Sequence, residues 1–159
     1  MQAFVGLGSN IGDGEAMLQR ALEEVDQVPE IEVVRHSSFY LSAPLGMENQ
    51  PHFTNAVAEV ATPMTPGQLL TVLQAIELKL GRTRDTGRWG PRTMDLDLLC
   101  CEQMVILSKE LMIPHPRLHQ RAFVLLPLLE LDSELLIPGV GFARDCLSKL
   151  PDQGVRRIP

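Results

Sequence analysis

The sequence is poor in cysteine: three residues, two of them the neighbours Cys100 and Cys101, offer no plausible disulfide framework. All three read as small buried hydrophobes in a reducing compartment. Long apolar runs are also missing. A bilayer span needs about eighteen consecutive apolar residues, and none occurs. The opening residues Met1 to Leu7 lack the basic segment of a secretion signal, so the chain reads as cytoplasmic. Strong bases are scarce at first: residues 1–78 hold ten acidic side chains against only Arg20 and Arg35. With a formal charge of −6 and a pI near 5.2, the composition argues against a general nucleic-acid or membrane-surface binder. No repeat or low-complexity tract is present. At 159 residues the expectation is one domain, residues 1–159, monomeric and long enough to bury a core.

Against that acidic background, four arginines (Arg82, Arg84, Arg88 and Arg92) fall within eleven residues. Helical spacing would stack three of them, but Gly87, Gly90 and Pro91 interrupt it, so this stretch reads as a loop whose guanidinium groups converge on an anion. Met94-Asp-Leu-Asp-Leu-Leu-Cys-Cys101 then alternates with a period of two, which reads as a strand. Asp95 and Asp97 share one face of it, with Cα atoms roughly 7 Å apart. Like charges on an apolar strand are costly to bury unpaired. Mg²⁺ or the neighbouring guanidinium groups would hold them as carboxylates. Paired carboxylates for hard cations and planar forks for phosphate oxygens are what a magnesium polyphosphate requires. A surface salt-bridge ladder is the bland reading of the same charges, and it leaves the carboxylates' place in a strand unexplained.

Around this stretch the pattern predicts a first strand over Gln2 to Leu7 and a glycine-rich turn through Gly14, with Asp13 available as a helix cap. Its G-x-G-x-x-x-G spacing does not match a dinucleotide fingerprint. A helix follows from Glu15 to Val28, ended by Pro29. Strands are predicted over Ile31 to Leu41 and Phe53 to Val60. A capping box at Thr65-Pro-Gly-Gln68 opens a second helix running to Gly81. Beyond the Asp95 strand come a turn at Gln103, a short strand from Met104 to Leu107, His115 held between two prolines, and a short helix within Arg121 to Leu131. A last strand and helix follow, then a loose tail from Pro151 to Pro159. The order β-α-β-β-α-β is that of an α+β, ferredoxin-like sandwich, with helices on one face of a largely antiparallel sheet and the other face left for a ligand.

Arg88-Trp-Gly-Pro-Arg-Thr-Met-Asp-Leu-Asp-Leu-Leu99 resembles the signature of the 6-hydroxymethyl-7,8-dihydropterin pyrophosphokinase family of folate biosynthesis. The likeness extends through Gly6-Leu-Gly-Ser-Asn10, Ser38-Phe-Tyr-Leu-Ser-Ala-Pro-Leu-Gly46, Phe53-Thr-Asn55, Gln74-Ala-Ile-Glu77, Pro114-His115 and Arg121-Ala-Phe123. The resemblance implies a transferase that moves the terminal pyrophosphate of ATP to the pterin hydroxymethyl group and releases AMP. Asp95 and Asp97 would bind two Mg²⁺ ions, and Arg82 and Arg92 would neutralise the transferring group. Nucleotide contacts would come from Gln74, Glu77, Arg84, Arg88, Trp89, Arg92, Leu98, His115 and Arg121. The pterin would lie between Phe53 and Phe123, its polar edge met by Asn55 and by the segment Ser42, Ala43, Pro44 and Leu45, with Trp89 and Asp95 alongside. The chain departs from the family pattern at Glu110 and Met112, where familiar members carry a basic residue and a threonine. Two other classes compete: an inactive nucleotide-binding module, which would be expected to lack an aspartate or a key arginine, and a metal-dependent nuclease, which the acidic surface opposes.

Overall fold

The computed structural model describes residues 1–10, 13–42, 52–81 and 94–159. β1 (Gln2–Ser9) runs along the middle of a six-stranded sheet, antiparallel to β4 (Phe53–Ala61) on one side and to β5 (Asp95–Cys101) on the other. β2 (Glu32–His36) and β3 (Tyr40–Ser42) follow one another along the far edge of β4, both antiparallel to it. The single strand expected over Ile31 to Leu41 is therefore broken. The break falls at Ser37, whose hydroxyl accepts the Val57 N–H at 3.0 Å and substitutes a side-chain bond for a regular ladder bond.

α1 (Gly14–Asp26) and α2 (Pro66–Lys79) pack on one face of this sheet. In α1 the residues Leu18, Ala21, Leu22 and Val25 recur at helical spacing and are all buried, against Val5, Leu7, Ala56, Ala58, Leu96 and Leu98. Asp13 caps α1 by accepting the Ala16 N–H at 3.1 Å. The helix ends at Asp26, short of the expected Val28. The Gln27 N–H still donates to the Glu23 carbonyl four residues back, but the Val28 N–H donates to the nearer Val25 carbonyl, in keeping with the bias of a residue before proline away from the helical region. α2 carries the full capping box at Thr65 and Gln68 and stops before Gly81, whose φ is +98°.

The expectation that helices occupy one face only is corrected. A second core packs on the opposite face, where Phe4, Val57, Leu99 and Cys100 meet α3 (Ala122–Leu131) and α4 (Ala143–Ser148). β4 is accordingly buried along almost its whole length, without alternation. Two short hairpins, β6 (Ile106–Leu107) with β7 (Met112–Ile113) and β8 (Leu136–Ile137) with β9 (Gly141–Phe142), extend the chain beyond the sheet. The predicted strand from Met104 thus shrinks to two residues. The tail is not loose either: β10 (Arg156–Arg157) pairs antiparallel with β3. Among the described residues, no helix is long and apolar enough to cross a membrane.

Candidate active site

Side chains alternate between the two faces of a strand. Since Val5, Leu7, Leu96, Leu98, Ala56 and Ala58 face α1 and α2, their neighbours Gly6, Gly8, Asp95, Asp97, Asn55 and Val57 face the other way. The register sets them in rows. Asp97 lies opposite Gly6 and Gly6 opposite Val57; Asp95 lies opposite Gly8, Gly8 opposite Asn55, and Asn55 opposite Tyr40. Both aspartates are half-buried, neither sealed in the core nor fully in water.

The two glycines in the middle row make this face shallow. A Cβ on Gly8 would sit 3.1 Å from Asn55 Oδ1, and one on Gly6 would sit 3.4 Å from the Leu99 methyls. A side chain at either position would crowd the groups that flank it. Asn55 in turn donates from Nδ2 to Ser42 Oγ at 2.7 Å, a bond between two buried side chains. Phe53 is next on the same face, opposite Ser42, and is half-buried.

The wall across from this sheet comes from the segment between β7 and α3. His115 is anchored by its main chain, whose N–H donates to the Leu99 carbonyl at 2.7 Å. Its Nδ1 accepts the Arg117 N–H at 3.2 Å, which assigns the proton of the neutral ring to Nε2. Burial lowers the imidazole pKa; the charge on Asp97 opposes this, while Arg121 and Arg117 lower it further. Arg121 is likewise lowered by burial, with Asp97 and Asp95 favouring its charged form and Arg117 opposing it. Asp97 is thus felt by both His115 and Arg121, and Asp95 by Arg121, although they are far apart in sequence. The Arg121 guanidinium carbon lies 5.5 Å from the centroid of the half-buried Phe123 ring, within cation–π range.

On the α2 side, Glu77 is buried and its Oε2 accepts the Leu96 N–H at 3.2 Å, tying the last turn of α2 to β5. Gln74, one turn earlier, is exposed. Leu98 sits with its side chain in the α1 and α2 core, so a contact to a nucleotide would run through the main chain of β5.

The structure therefore brings together Asp95, Asp97, His115, Arg121 and Phe123 at one end of the sheet, with Ser42, Phe53 and Asn55 on the same face. Arg82, Arg84, Arg88, Trp89 and Arg92, together with Ala43, Pro44 and Leu45, lie outside the described residues. Three contributors carried no assigned role from sequence. Gly6 and Gly8 left a trace there, glycines two apart where the predicted strand passes into a turn; β1 in fact runs on to Ser9, and glycine in a strand marks a close approach on one face. Arg117 left none, because its neighbourhood depends on how the chain folds back after β7.

Residues 4–133 match the family described as 7,8-dihydro-6-hydroxymethylpterin-pyrophosphokinase. Among similar proteins, the 2-amino-4-hydroxy-6-hydroxymethyldihydropteridine pyrophosphokinase of Pseudomonas aeruginosa is 41% identical over 158 residues, covering 99% of this chain and 97% of that one. The protein of the same name from Methylorubrum extorquens is 43% identical over 157 residues, covering 99% and 98%. A folic acid synthesis protein of Schizosaccharomyces pombe is 39% identical over 155 residues, of which this chain spans only 21%. A solved structure, Plasmodium falciparum HPPK-DHPS wild type with pteroate, superimposes with a TM-score of 0.74 over 93% of this chain and 42% of that one, at 14% identity, which shows a shared fold. The chain belongs to the 7,8-dihydro-6-hydroxymethylpterin-pyrophosphokinase family.

Proposed function

We propose that residues 1–159 act as one ferredoxin-like domain in the cytoplasm, transferring pyrophosphate from ATP to 6-hydroxymethyl-7,8-dihydropterin in folate biosynthesis. The observation that carries this reading is the pair Asp95 and Asp97 on one half-buried strand face, within the electrostatic reach of Arg121. Two carboxylates without sulfur or imidazole beside them on the strand suit a hard divalent cation, so Asp95 and Asp97 would hold two Mg²⁺ ions. When bound, these supply charge neutralisation to both the entering and the departing oxygen.

The hydroxymethyl oxygen attacks the β-phosphorus of ATP and a new P–O bond forms. The bond from that phosphorus to the oxygen bridging the α- and β-phosphates breaks, AMP departs with that oxygen, and the hydroxyl proton passes to water. No protein nucleophile takes part. Arg82, Arg84, Arg88, Arg92 and Arg121 would orient the triphosphate and spread its charge, which is where most of the rate in phosphoryl transfer originates. Gln74, Glu77 and His115, with the main chain at Leu98, border the nucleotide. Phe53 and Phe123 would stack on the flat pterin, while Ser42, Ala43, Pro44, Leu45 and Asn55 read its polar edge and Trp89 closes over it. Water exclusion then protects ATP from hydrolysis.

The test is incubation with ATP, Mg²⁺ and the hydroxymethyl pterin. AMP formation that depends on the pterin is the expected result; ADP release, or AMP formed without pterin, overturns it.

A further inference from the structure

α3 starts without a cap of its own. The preceding residue, Arg121, makes no side-chain capping bond, although a helix leaves four main-chain N–H groups without intrahelical partners at its start. One of them, on Ala122, is met by a side chain 31 residues downstream: it donates to Gln153 Oε1 at 2.9 Å. Nε2 of the same carboxamide donates to the Gln120 carbonyl at 3.1 Å. The two bonds fall on either side of Arg121, so a single amide grips the main chain that carries Arg121 and, two residues on, Phe123.

Gln153 itself is aimed from a fixed base. Asp152 Oδ1 accepts the Gly154 N–H at 2.8 Å, and Gly154 takes a φ of +72° that favours glycine. The chain then zips onto β3, with Arg156 opposite Leu41 and Arg157 opposite Tyr40. The Ile158 N–H donates to the Phe39 carbonyl at 2.8 Å. β3 ends at Ser42, the hydrogen-bond partner of Asn55. Residues 153–158 therefore hold both segments: the one that carries Phe123 through a single carboxamide, and β3, which carries Ser42, through a main-chain ladder.

We propose that Gln153 is a positioning residue for pterin recognition, holding Phe123 at stacking distance from the Ser42–Asn55 wall by bracketing Arg121. This rests on the pterin reading of the site given above. Without the bracket the first turn of α3 frays, and ring stacking must then also order the segment that carries the ring. On the same reading Arg82, Arg84, Arg88 and Arg92 would supply ATP with further phosphate partners, so its affinity would depend less on this one segment.

Gln153→Met keeps the length of the side chain and removes both bonds; Gln153→Glu keeps the acceptor for Ala122 and loses the donor to Gln120. Calorimetric titrations with the pterin and with a non-hydrolysable ATP analogue, alongside circular dichroism of each variant, provide the test. Gln153→Met is expected to weaken pterin binding about three- to tenfold while the analogue moves by less than about twofold, and Gln153→Glu, which retains the helix cap, to fall between. Unchanged pterin affinity in both variants, or equal weakening for both ligands, overturns the proposal. A parent protein that binds the analogue but no pterin overturns the reading of the site instead.

Discussion

At the level of single residues, the chemistry turns on charges that the fold brings within reach of one another. His115 illustrates the sign of these effects. Burial lowers its imidazole pKa, and among the described residues acting on it Asp97 alone raises it. The ring is therefore neutral at pH 7, and Asp97→Ala should lower the value further. Titration of the ring by NMR checks both statements; half-protonation at or above the ordinary value near 6.5, or an upward move in the variant, would contradict them. The same substitution is expected to cut turnover by at least ~10³-fold, the scale of losing several kcal/mol of charge stabilisation on a transferring phosphoryl group. Near-normal turnover at low Mg²⁺ would remove Asp97 from the metal's ligands. The pairing of Asp95 with Asp97 was legible because a period of two is a local property. Their company with Arg121 was not, since it depends on the chain returning past β5.

Elements repeat the lesson with hydrogen bonds. The capping box of α2 was readable from four consecutive residues because both of its bonds close within them. Thr65→Ala should cost about 1 kcal/mol of stability, read as a shift of the urea midpoint at constant slope; a change under about 0.3 kcal/mol would mean that tertiary packing holds the helix unaided. α3 lay at the other extreme. Its cap comes from Gln153, and no local pattern pointed to it. The break between β2 and β3 was hidden for the same reason: Ile31 to Leu41 is rich in strand-forming residues, but Ser37 forms its decisive bond with Val57 across the sheet. The glycine-rich turn yielded in part. Asp13 as a cap was legible, whereas the demand for glycine at position 14, where a Cβ would fall 2.2 Å from Thr54 Oγ1, comes from β4.

Across the whole molecule, one carboxylate ties the second helical layer to the sheet edge. Glu130 on α3 accepts the Tyr40 hydroxyl at 2.7 Å, the Ser38 N–H at 2.8 Å and the Ser38 hydroxyl at 3.1 Å. Tyr40 is pushed up from 10.0 to about 12 by burial, then by its bond to Glu130 and the charge there. Its folded value exceeds its unfolded one, so its contribution to stability is whole below pH 10 and lost as pH rises towards about 12. For Glu130, burial raises the pKa but the bonds from Tyr40 and Ser38 outweigh it and the net shift is downward. That contribution is present above the ordinary carboxylate value and fades as pH falls through the depressed one. Tyr40 is the only tyrosine, so phenolate absorbance reports it alone. Ionisation near pH 10 in the folded protein would refute the assignment. Tyr40→Phe should lower stability by about 1 kcal/mol at pH 7 and reduce the alkaline loss by the share of Tyr40, leaving that of Cys100 and Cys101, whose thiols burial pushes up from 9.0 to about 12 and about 11; an undiminished loss in the variant would place its origin elsewhere.

By itself the sequence determined the main elements β1, α1, β4, α2 and β5, the shared face of Asp95 and Asp97, and the family, because periodicity, caps and a contiguous signature are all written in neighbouring residues. Only the tertiary structure decided that both faces of the sheet are covered, that Gly6 and Gly8 lie between the aspartates and Val57 and Asn55 of β4, and that residues 153–158 join β3 to the start of α3. Those facts are contacts between residues far apart along the chain, formed when apolar faces find each other, and no short stretch contains both partners.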